Sequence, residues 1–302
     1  MQKKKKFTKL SKSRVVFNIL NYSLFGLFTL MCVYPLWYIF IYSVSVPSRL
    51  VYENVTLLPL GFSLSNLRHV LQLDGLLRSI MISVARTVLG TCGTVFTCTL
   101  LGYVFSKRHF PCRTFLYRML IVTMYISGGM IPTYMVYRAY GLLNNFLIYI
   151  IPNLISAYNV ILVKTFIESI PSSLEESAML DGAGYMTTLL RIIFPMSKPI
   201  VATIGVYAAV GQWNMWFDNH IYAFSNKKIT TLQYTLYKFL QESSRIAEQI
   251  QESSQEMGVD NMITPFGVRM TVTMITVIPI LLVYPLLQRY IVKGVMMGAV
   301  KG

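Results

Sequence analysis

Charged side chains are scarce in this sequence. Aspartate, glutamate, lysine and arginine make up 13% of its 302 residues, whereas hydrophobic residues make up 54%. A typical soluble domain carries about 25% charged residues. Because a chain with so little charge cannot cover a water-facing surface of its own size, the composition argues against a soluble enzyme and favours a protein that lies in a membrane.

The motifs on which common enzymes and metal sites depend are also missing. The sequence has no GxxxxGKS or GxxxxGKT phosphate-binding loop, no HExxH zinc motif and no GxSxG nucleophile elbow. The three histidines are scattered, with no carboxylate at ligand spacing: His69, His109 and His220. We therefore expect no catalytic residue, no metal site and no cofactor in this chain.

Cysteines at the CxxC spacing are absent as well, so neither a zinc site nor a disulfide framework is indicated. The four cysteines are Cys32, Cys92, Cys98 and Cys112. Three of them lie inside apolar runs, and we expect the cysteines to be small, buried apolar side chains.

Long runs without charge are abundant. Six windows contain no charged side chain: 15–48, 87–106, 119–137, 139–163, 199–217 and 270–288. Crossing a hydrocarbon core takes about 20 mostly apolar residues, and backbone groups in lipid must pair within their own segment. The sequence therefore predicts an all-α integral membrane protein with six transmembrane helices.

Basic residues stand beside these windows rather than in a separate basic stripe, which argues against a nucleic-acid partner despite a net charge of +15. Six spans place both termini on one side of the bilayer, and the segments on that side hold 17 of the 27 lysines and arginines. Because basic loops tend to remain inside, both termini are predicted to be cytoplasmic.

This topology divides the chain into four parts. Residues 1–14 form a basic cytoplasmic tail, 15–76 the first span with an outer loop, 77–291 a transmembrane core and 292–302 a second cytoplasmic tail. The core contains a cytoplasmic loop over 168–198 and an outer loop over 218–268. Four acids of the outer loop recur at a spacing that suits one solvated helix face: Glu248, Glu252, Glu256 and Asp260.

The 168–198 loop has signals for a short helix and an elbow. Pro171 ends the preceding helix, and Ser172 can cap a new one with Glu175 completing a capping box. Gly182 permits a bend that a side chain would hinder, and Pro195 ends the next helical stretch. Three apolar residues form a stripe that needs a partner surface: Leu174, Ala178 and Met179.

These residues resemble the EAA loop of ABC-importer permeases, in which E-A-A is followed by three residues, a glycine, nine residues and I-x-L-P. Glu176-Ser177-Ala178 stands for E-A-A, Gly182 fits the glycine, and Phe194 replaces the leucine before Pro195. The resemblance implies that the loop is the coupling helix that docks on an ATPase subunit. The positions it carries over are Glu175, Glu176, Ser177, Ala178, Asp181, Gly182, Ala183 and Pro195.

Further segments are similar to the carbohydrate branch of this family, including Gly128 to Tyr134 and Gly211 to Asp218. The resemblance implies a type I ABC importer permease fold in the bacterial plasma membrane. It also implies a second, usually different permease subunit, two ATPase subunits that bind ATP and magnesium, an extracellular sugar-binding protein, and a sugar or oligosaccharide as substrate.

Aromatic and amide side chains in the fifth window suit sugar chemistry: Trp213, Asn214, Trp216 and Phe217. The same aromatics also suit the belt at the outer membrane interface. Tyr125, Ser127, Tyr134 and Asn153 are further candidates for the pathway, although polar residues in spans also serve helix packing.

Arg86 lies near the second span, where an ionisable group marks a functional site or snorkels to the surface. The alternative class is a self-sufficient secondary transporter or channel, which requires ionisable residues buried in its spans. Arg86 is the one clear candidate for such a role in the sequence.

Overall fold

Helices are the only regular elements in the part of the chain that a computed structural model describes, residues 12–241 and 264–299. Two predictions fall outside these residues: the basic tail up to residue 11 and the acidic spacing over 248–260. Within the described residues the chain is all-α, as the apolar windows predicted.

The α-helices, numbered in chain order, are α1 (Lys12–Ser43), α2 (Pro47–Leu50), α3 (Ser65–Gln72), α4 (Leu76–Ser106), α5 (Arg113–Val122), α6 (Met130–Ala139), α7 (Ala157–Ile167), α8 (Ser173–Leu180), α9 (Tyr185–Thr188), α10 (Phe194–Met196), α11 (Lys198–Asn214), α12 (Phe217–Tyr222), α13 (Leu232–Gln241) and α14 (Pro265–Ala299). Short 3₁₀ helices cover Phe146–Tyr149, Ile151–Asn153 and Lys227–Ile229. A π-helical turn, Leu189–Ile193, joins α9 to α10.

The described residues belong to two compact units. One contains residues 12–70 and 264–274, and the other contains residues 71–241 and 275–299. In the first unit a small core forms around Ile41, Tyr42 and Val55, with Met270 packed against it. The Asn66 side chain donates a hydrogen bond to the Ser45 carbonyl at 2.9 Å and so fastens the loop after α1.

Most of α1 is apolar on every side and exposed in the isolated chain. A helix that is hydrophobic all round belongs inside a protein or across a membrane. Since nothing in its own unit covers the first three-quarters of α1 among the described residues, its apolar surface fits contact with lipid.

The second unit is built on α4, which packs along both α7 and α11. Two glycines make the close approach possible. A Cβ at Gly90 would lie 2.5 Å from Nε2 of Gln212, and one at Gly102 would lie 2.6 Å from Cγ1 of Val163. Small residues at such contacts let helix backbones meet closely, as membrane helices do.

Within the described residues, membrane-length helices are fewer than the six predicted windows. By length and composition, α1, α4 and Phe266–Pro285 of α14 can each cross a bilayer. Two bent pairs raise the number to five if each pair is one span. They are Phe146–Asn153 with Ala157–Ile167, bent by 43°, and Tyr185–Met196 with Lys198–Asn214, bent by 82°.

The prediction of one unbroken helix over 119–137 is wrong. The window holds the end of α5 and most of α6, which are separated by a non-helical segment over 123–129. Gly129, directly before α6, has φ +79°, a conformation that L side chains rarely adopt and that lies outside regular helix. The non-helical segment over 123–129, which includes Gly129, therefore interrupts a run that hydropathy alone presents as continuous.

The prediction that the cysteines are buried is confirmed only in part. Cys98 is buried in the core of the second unit, whereas Cys32, Cys92 and Cys112 are exposed in the isolated chain. The physical reason is that an apolar membrane helix turns part of its surface outward, so an apolar sequence context does not imply burial within the protein.

Candidate functional site

The 168–198 loop folds into a helix, a turn and a second helix. The first helix is α8, and the second runs over Tyr185–Met196 before the chain bends by 82° into α11. This is the elbow that the sequence predicted. Pro195 lies one residue before the end of the second helix.

Gly182 ends α8 in a Schellman motif. The Gly182 N–H donates to the Met179 carbonyl at 3.0 Å, and the Ala183 N–H donates to the Ala178 carbonyl at 2.9 Å. This pair of bonds requires a left-handed residue at the turn, and Gly182 has φ +84°. The glycine of the EAA-like pattern is therefore the residue that reverses the chain after α8.

The predicted capping box at the start of α8 is wrong. Ser172 has helical dihedral angles, φ −62° and ψ −26°, and its side chain makes no capping hydrogen bond in the described structure. A cap residue needs an extended backbone for its hydroxyl to reach the helix N–H groups. The Glu175 side chain pairs with Lys107 instead of closing a box.

Lys107 fastens α8 to the last turn of α4. Its ammonium pairs with the Glu175 carboxylate and lies over the Tyr103 ring at 4.1 Å from the centroid. The Tyr103 hydroxyl in turn donates to the Tyr185 carbonyl at 3.3 Å. One cluster of side chains on α4 therefore holds both helices of the elbow.

The remaining surface of the elbow is exposed and largely apolar. Leu180 is 89% exposed, and Leu174, Met179, Tyr185 and Met186 are exposed beside it. The predicted coupling residues divide between this surface and the interior. Ala178 is buried and Ala183 half-buried, whereas Glu176, Ser177, Asp181, Gly182 and Pro195 are exposed. An exposed apolar patch of this kind marks an interaction surface.

Arg86 lies at the centre of a buried polar network in the second unit. Its side chain is 1% exposed, and its Nη2 and Nη1 atoms lie 2.6 Å and 3.1 Å from the two carboxylate oxygens of Asp218. Nε donates to the Gln212 amide oxygen and Nη1 to the Met215 carbonyl. The guanidinium also stands over the Tyr149 ring at 4.5 Å.

This geometry decides between the two roles left open for Arg86. The side chain does not snorkel to a surface, because its charge is neutralised inside the protein by a bidentate carboxylate. The pair joins α4 to the start of α12, directly after the end of α11. Arg86 therefore sets the position of the chain where α11 ends.

A cavity of about 390 Å³ opens beside this network, between α4, the start of α7 and the second half of α11. Its lining residues are Arg86, Thr94, Asn153, Ser156, Tyr158, Asn159, Tyr207, Ala208, Gly211, Gln212 and Met215. Arg86 and Thr94 lie eight residues apart on α4, which corresponds to about 12 Å along the helix. The cavity therefore follows α4 for roughly two turns.

The aromatic residues predicted for the pathway do not line this cavity. Trp213 is 9% exposed, and its indole N–H donates to the Thr276 carbonyl at 3.1 Å. Trp216 stacks on Tyr237 with ring centroids 4.1 Å apart. Asn214, Phe217 and Tyr125 are exposed in the isolated chain. Their role as substrate contacts stays a prediction.

Asn153 is the one predicted pathway residue that the structure places in the cavity. Sequence reasoning missed Asn159, Tyr207 and Gln212. A signal for Asn159 was present, since Asn153, Ser156 and Asn159 recur every three residues inside an apolar window. No comparable pattern marks Tyr207, because tyrosine is frequent throughout the apolar windows.

Membrane-length helices, a surface elbow with an exposed apolar patch and a cavity between the helices are the features of a membrane transport subunit. The chain belongs to the family described as binding-protein-dependent transport system inner membrane component, which matches residues 98–297. The resemblance drawn from the EAA-like loop is thereby confirmed.

Two relatives from Bacillus subtilis (strain 168) are similar over nearly their whole length. The polygalacturonan/rhamnogalacturonan transport system permease protein YtcP is 34% identical over 287 residues, which cover 95% of this chain and 99% of the relative. Protein LplC is 33% identical over 293 residues, 97% of each chain.

A solved structure shows the same architecture. One chain from the crystal structure of a bacterial ABC transporter involved in the import of the acidic polysaccharide alginate matches with a TM-score of 0.84 and 29% sequence identity. The match covers 94% of this chain and 99% of the other. The fold is therefore that of an ABC importer permease.

Proposed function

We propose that this chain is a permease subunit of a bacterial ABC importer that carries a saccharide into the cell. The observation that supports this most strongly is the similarity over 95% of the chain to a polygalacturonan/rhamnogalacturonan permease. The structural match to an alginate importer agrees with it. The elbow after α7 supplies the surface that such a subunit needs for an ATPase.

The proposed topology has six spans with both termini in the cytoplasm. Five are the three long helices, the bent pair of Phe146–Asn153 with Ala157–Ile167, and α11, since Tyr185–Met196 of the other bent pair belongs to the elbow. The sixth is the interrupted pair α5 and α6, which together cover the third charge-free window. Irregular backbone at membrane depth is tolerated where protein or water surrounds it, so the non-helical segment over 123–129 is compatible with a span.

The proposed assembly contains a second permease subunit of different sequence, two ATPase subunits and an extracellular sugar-binding protein. ATP and magnesium bind to the ATPase subunits, since this sequence has no phosphate-binding loop. Movement of the ATPases would reach the membrane helices through α8, because Lys107 and Tyr103 fasten the elbow to α4.

Affinity purification of the tagged chain from its native membranes tests the assembly. We expect a second permease, an ATPase and a sugar-binding lipoprotein to be recovered with it. Recovery of the chain alone, at full yield and in mild detergent, would contradict the proposal.

Uptake by intact cells tests the substrate class. The probes are tritium-labelled trigalacturonate, trimannuronate and raffinose, which represent acidic and neutral oligosaccharides. Deletion of the chain should abolish uptake of at least one probe that wild-type cells import. Uptake of all three that is unaffected by the deletion would remove oligosaccharides of these kinds from consideration.

A further inference from the structure

The loop after α2 folds back along the second half of α1. The Tyr34 hydroxyl donates to the Thr56 carbonyl at 3.3 Å, and the Trp37 indole N–H donates to the Leu57 carbonyl at 3.0 Å. Tyr34 lies nine residues before Ser43, the last residue of α1, which corresponds to about 13 Å along the helix. The loop therefore returns toward the middle of α1 before it leaves the helix again.

Contacts at the far end of this loop fix its return path. The Leu60 N–H donates to the Ser45 hydroxyl at 3.1 Å, and the Ser63 N–H donates to the Val44 carbonyl at 2.8 Å. Because the loop is fastened both near the end of α1 and closer to its middle, residues 56–59 form a turn with a defined place beside the helix.

The turn presents apolar side chains outward. Leu57 is 64% exposed and Leu58 is 74% exposed, and no charged side chain occurs over 54–67. An exposed apolar patch of this kind marks a surface that binds a partner or a membrane. The two leucines adjoin exposed Tyr34 and Trp37 of α1, so the patch continues the helix surface that fits contact with lipid.

The length of α1 sets the depth of this turn in the bilayer. Arg14 is the last charged residue before the first charge-free window, and a basic residue at the end of a span marks the cytoplasmic edge of the hydrocarbon core. Tyr34 follows Arg14 by 20 residues, or about 30 Å of helix, which equals the thickness of the core. In the proposed topology Tyr34 and the turn beside it therefore lie at the outer edge of the hydrocarbon.

The side chains at this level suit that position. Tyrosine and tryptophan gather where the membrane meets water, and backbone groups near the hydrocarbon need partners within the protein. Tyr34 and Trp37 each donate their polar hydrogen to a carbonyl of the turn, and Pro59 has no N–H that needs an acceptor. Two aromatic donors thus allow an irregular turn to lie beside lipid.

We propose that Leu57 and Leu58 anchor this subunit in the outer leaflet, at the boundary between headgroups and acyl chains, and that Tyr34 and Trp37 hold the turn there. The partner is the lipid surface rather than another protein. The proposal rests on the proposed topology and gives the loop after α2 a role that is separate from the transport pathway.

Depth-dependent fluorescence quenching in the assembled importer tests the anchor. Leu58→Cys is labelled with bimane, and the whole complex is reconstituted in phospholipids that carry a nitroxide at carbon 5 or at carbon 12 of an acyl chain. The buried Cys98 is retained. The exposed native cysteines are replaced beforehand by Cys32→Ala, Cys92→Ala and Cys112→Ala.

Glu53→Cys is the matched control in the same loop. Glu53 is exposed, and its backbone N–H donates to the Arg49 carbonyl of α2 at 2.9 Å. The label at position 58 should be quenched at least about twofold more by the nitroxide at carbon 5 than by that at carbon 12, because an interfacial side chain reaches only about 5–10 Å into the acyl boundary. The label at position 53 should be quenched by iodide in the water and by neither lipid.

Every other result at position 58 overturns the anchor. Iodide quenching equal to that at position 53 would place the turn in water, and stronger quenching by the nitroxide at carbon 12 would place it deep inside the leaflet. Protection from iodide and from both lipids would mean that a protein covers the turn, either the second permease or the binding protein. The transport function would stand in each case, because deletion of the whole chain tests it.

The double variant Tyr34→Phe with Trp37→Phe tests the two donors, since it keeps two aromatic rings but removes both polar hydrogens. We expect quenching of the label at position 58 by the nitroxide at carbon 5 to fall by about half or more, and quenching by iodide to rise. Phe40→Leu is the control, because the Phe40 ring contacts Trp37 but donates no hydrogen bond, and it should leave both values unchanged. Lipid quenching that is unchanged in the double variant would overturn the role proposed for Tyr34 and Trp37.

Discussion

The guanidinium of Arg86 lies inside the second unit with four hydrogen bonds around it and the Tyr149 ring beneath it. Removing a charge from water costs several kcal/mol, and a buried partner offsets that cost only when the geometry is good. The bidentate contact with Asp218 meets this condition. Arg86 and Asp218 therefore depend on each other far more than a surface pair would.

Asp218→Ala should destabilise the protein by about 3–5 kcal/mol, because it leaves the Arg86 charge buried without its carboxylate. The measurement is thermal unfolding of the purified protein in detergent. Glu168→Ala is the matched control, since Glu168 forms two ion pairs near the surface, with Arg113 and Lys164, and should change stability by at most about 1 kcal/mol.

The double variant Arg86→Met with Asp218→Leu should recover much of the stability lost in Asp218→Ala, since no buried charge is then left unpaired. If Asp218→Ala unfolds at the wild-type temperature, the carboxylate does not neutralise Arg86 in the protein. An unrecovered double variant would show instead that the polar contacts of α12 matter more than the charge.

Gly182 has a left-handed backbone conformation, in which a residue with a side chain is strained. With φ +84°, an L residue there costs roughly 1–2 kcal/mol, although no heavy atom of the described chain lies within 4 Å of the position its Cβ would take. We expect Gly182→Leu to abolish saccharide import and to reduce ATPase recovery in pull-down experiments, while the permease still inserts and pairs.

Gly184→Leu separates backbone strain from bulk. Gly184 lies two residues further on with φ −73° and equally open space, so a side chain there adds bulk without left-handed strain. We expect Gly184→Leu to retain more ATPase than Gly182→Leu. Full import and full ATPase recovery in Gly182→Leu would mean that this turn is not part of the coupling surface.

At the scale of elements, one ion pair in the described part of the chain, Lys107 with Glu175, links α8 to the end of α4, and the Tyr103 ring supports it. Lys107→Glu should loosen α8 and reduce import relative to ATP hydrolysis, because like charges then face each other at the Glu175 contact. Lys107→Glu combined with Glu175→Lys should restore import, and the coupling energy from the double-mutant cycle should be of order 1 kcal/mol.

The measurement is the ratio of saccharide transported to ATP hydrolysed by the purified complex. If the double variant Lys107→Glu with Glu175→Lys has the same low ratio as Lys107→Glu alone, Lys107 acts through a contact other than Glu175, such as one with the partner ATPase. Ser169→Ala is a suitable control in the same loop region, since its hydroxyl bonds only to the Phe166 carbonyl in the described structure.

Element prediction from the sequence succeeded where one physical signal was sufficient. Charge-free windows predicted α1, α4, α11 and the apolar part of α14, because length and hydropathy decide whether a helix can cross lipid. The break after α5 was not predicted, since hydropathy does not register the backbone conformation of Gly129. The capping box failed because Glu175 had a competing partner that only the fold brings near.

At the scale of the whole molecule, the contacts between distant residues could not be predicted from the sequence. Arg86 was recognisable as unusual for its apolar surroundings, but Asp218 lies 132 residues away. A single sequence does not reveal which carboxylate approaches it. The cavity was hidden for the same reason, since α4, α7 and α11 each supply only part of its lining.

Reporter fusions test the six-span topology. Green fluorescent protein, which fluoresces in the cytoplasm, and alkaline phosphatase, which is active outside it, are each fused to the two termini. We expect fluorescence and no phosphatase activity at both ends, because the basic segments favour the inside. An active phosphatase at one terminus would require an odd number of spans, as the five structural candidates alone would give.

The most direct test of the central claim is saccharide import by the purified complex in sealed proteoliposomes, with ATP on one side and the loaded binding protein on the other. The proposed function predicts that saccharide accumulates only when ATP is hydrolysed, and that a proton or sodium gradient without ATP drives none. Accumulation driven by an ion gradient in the absence of ATP would contradict it, and would make the chain a self-sufficient secondary transporter.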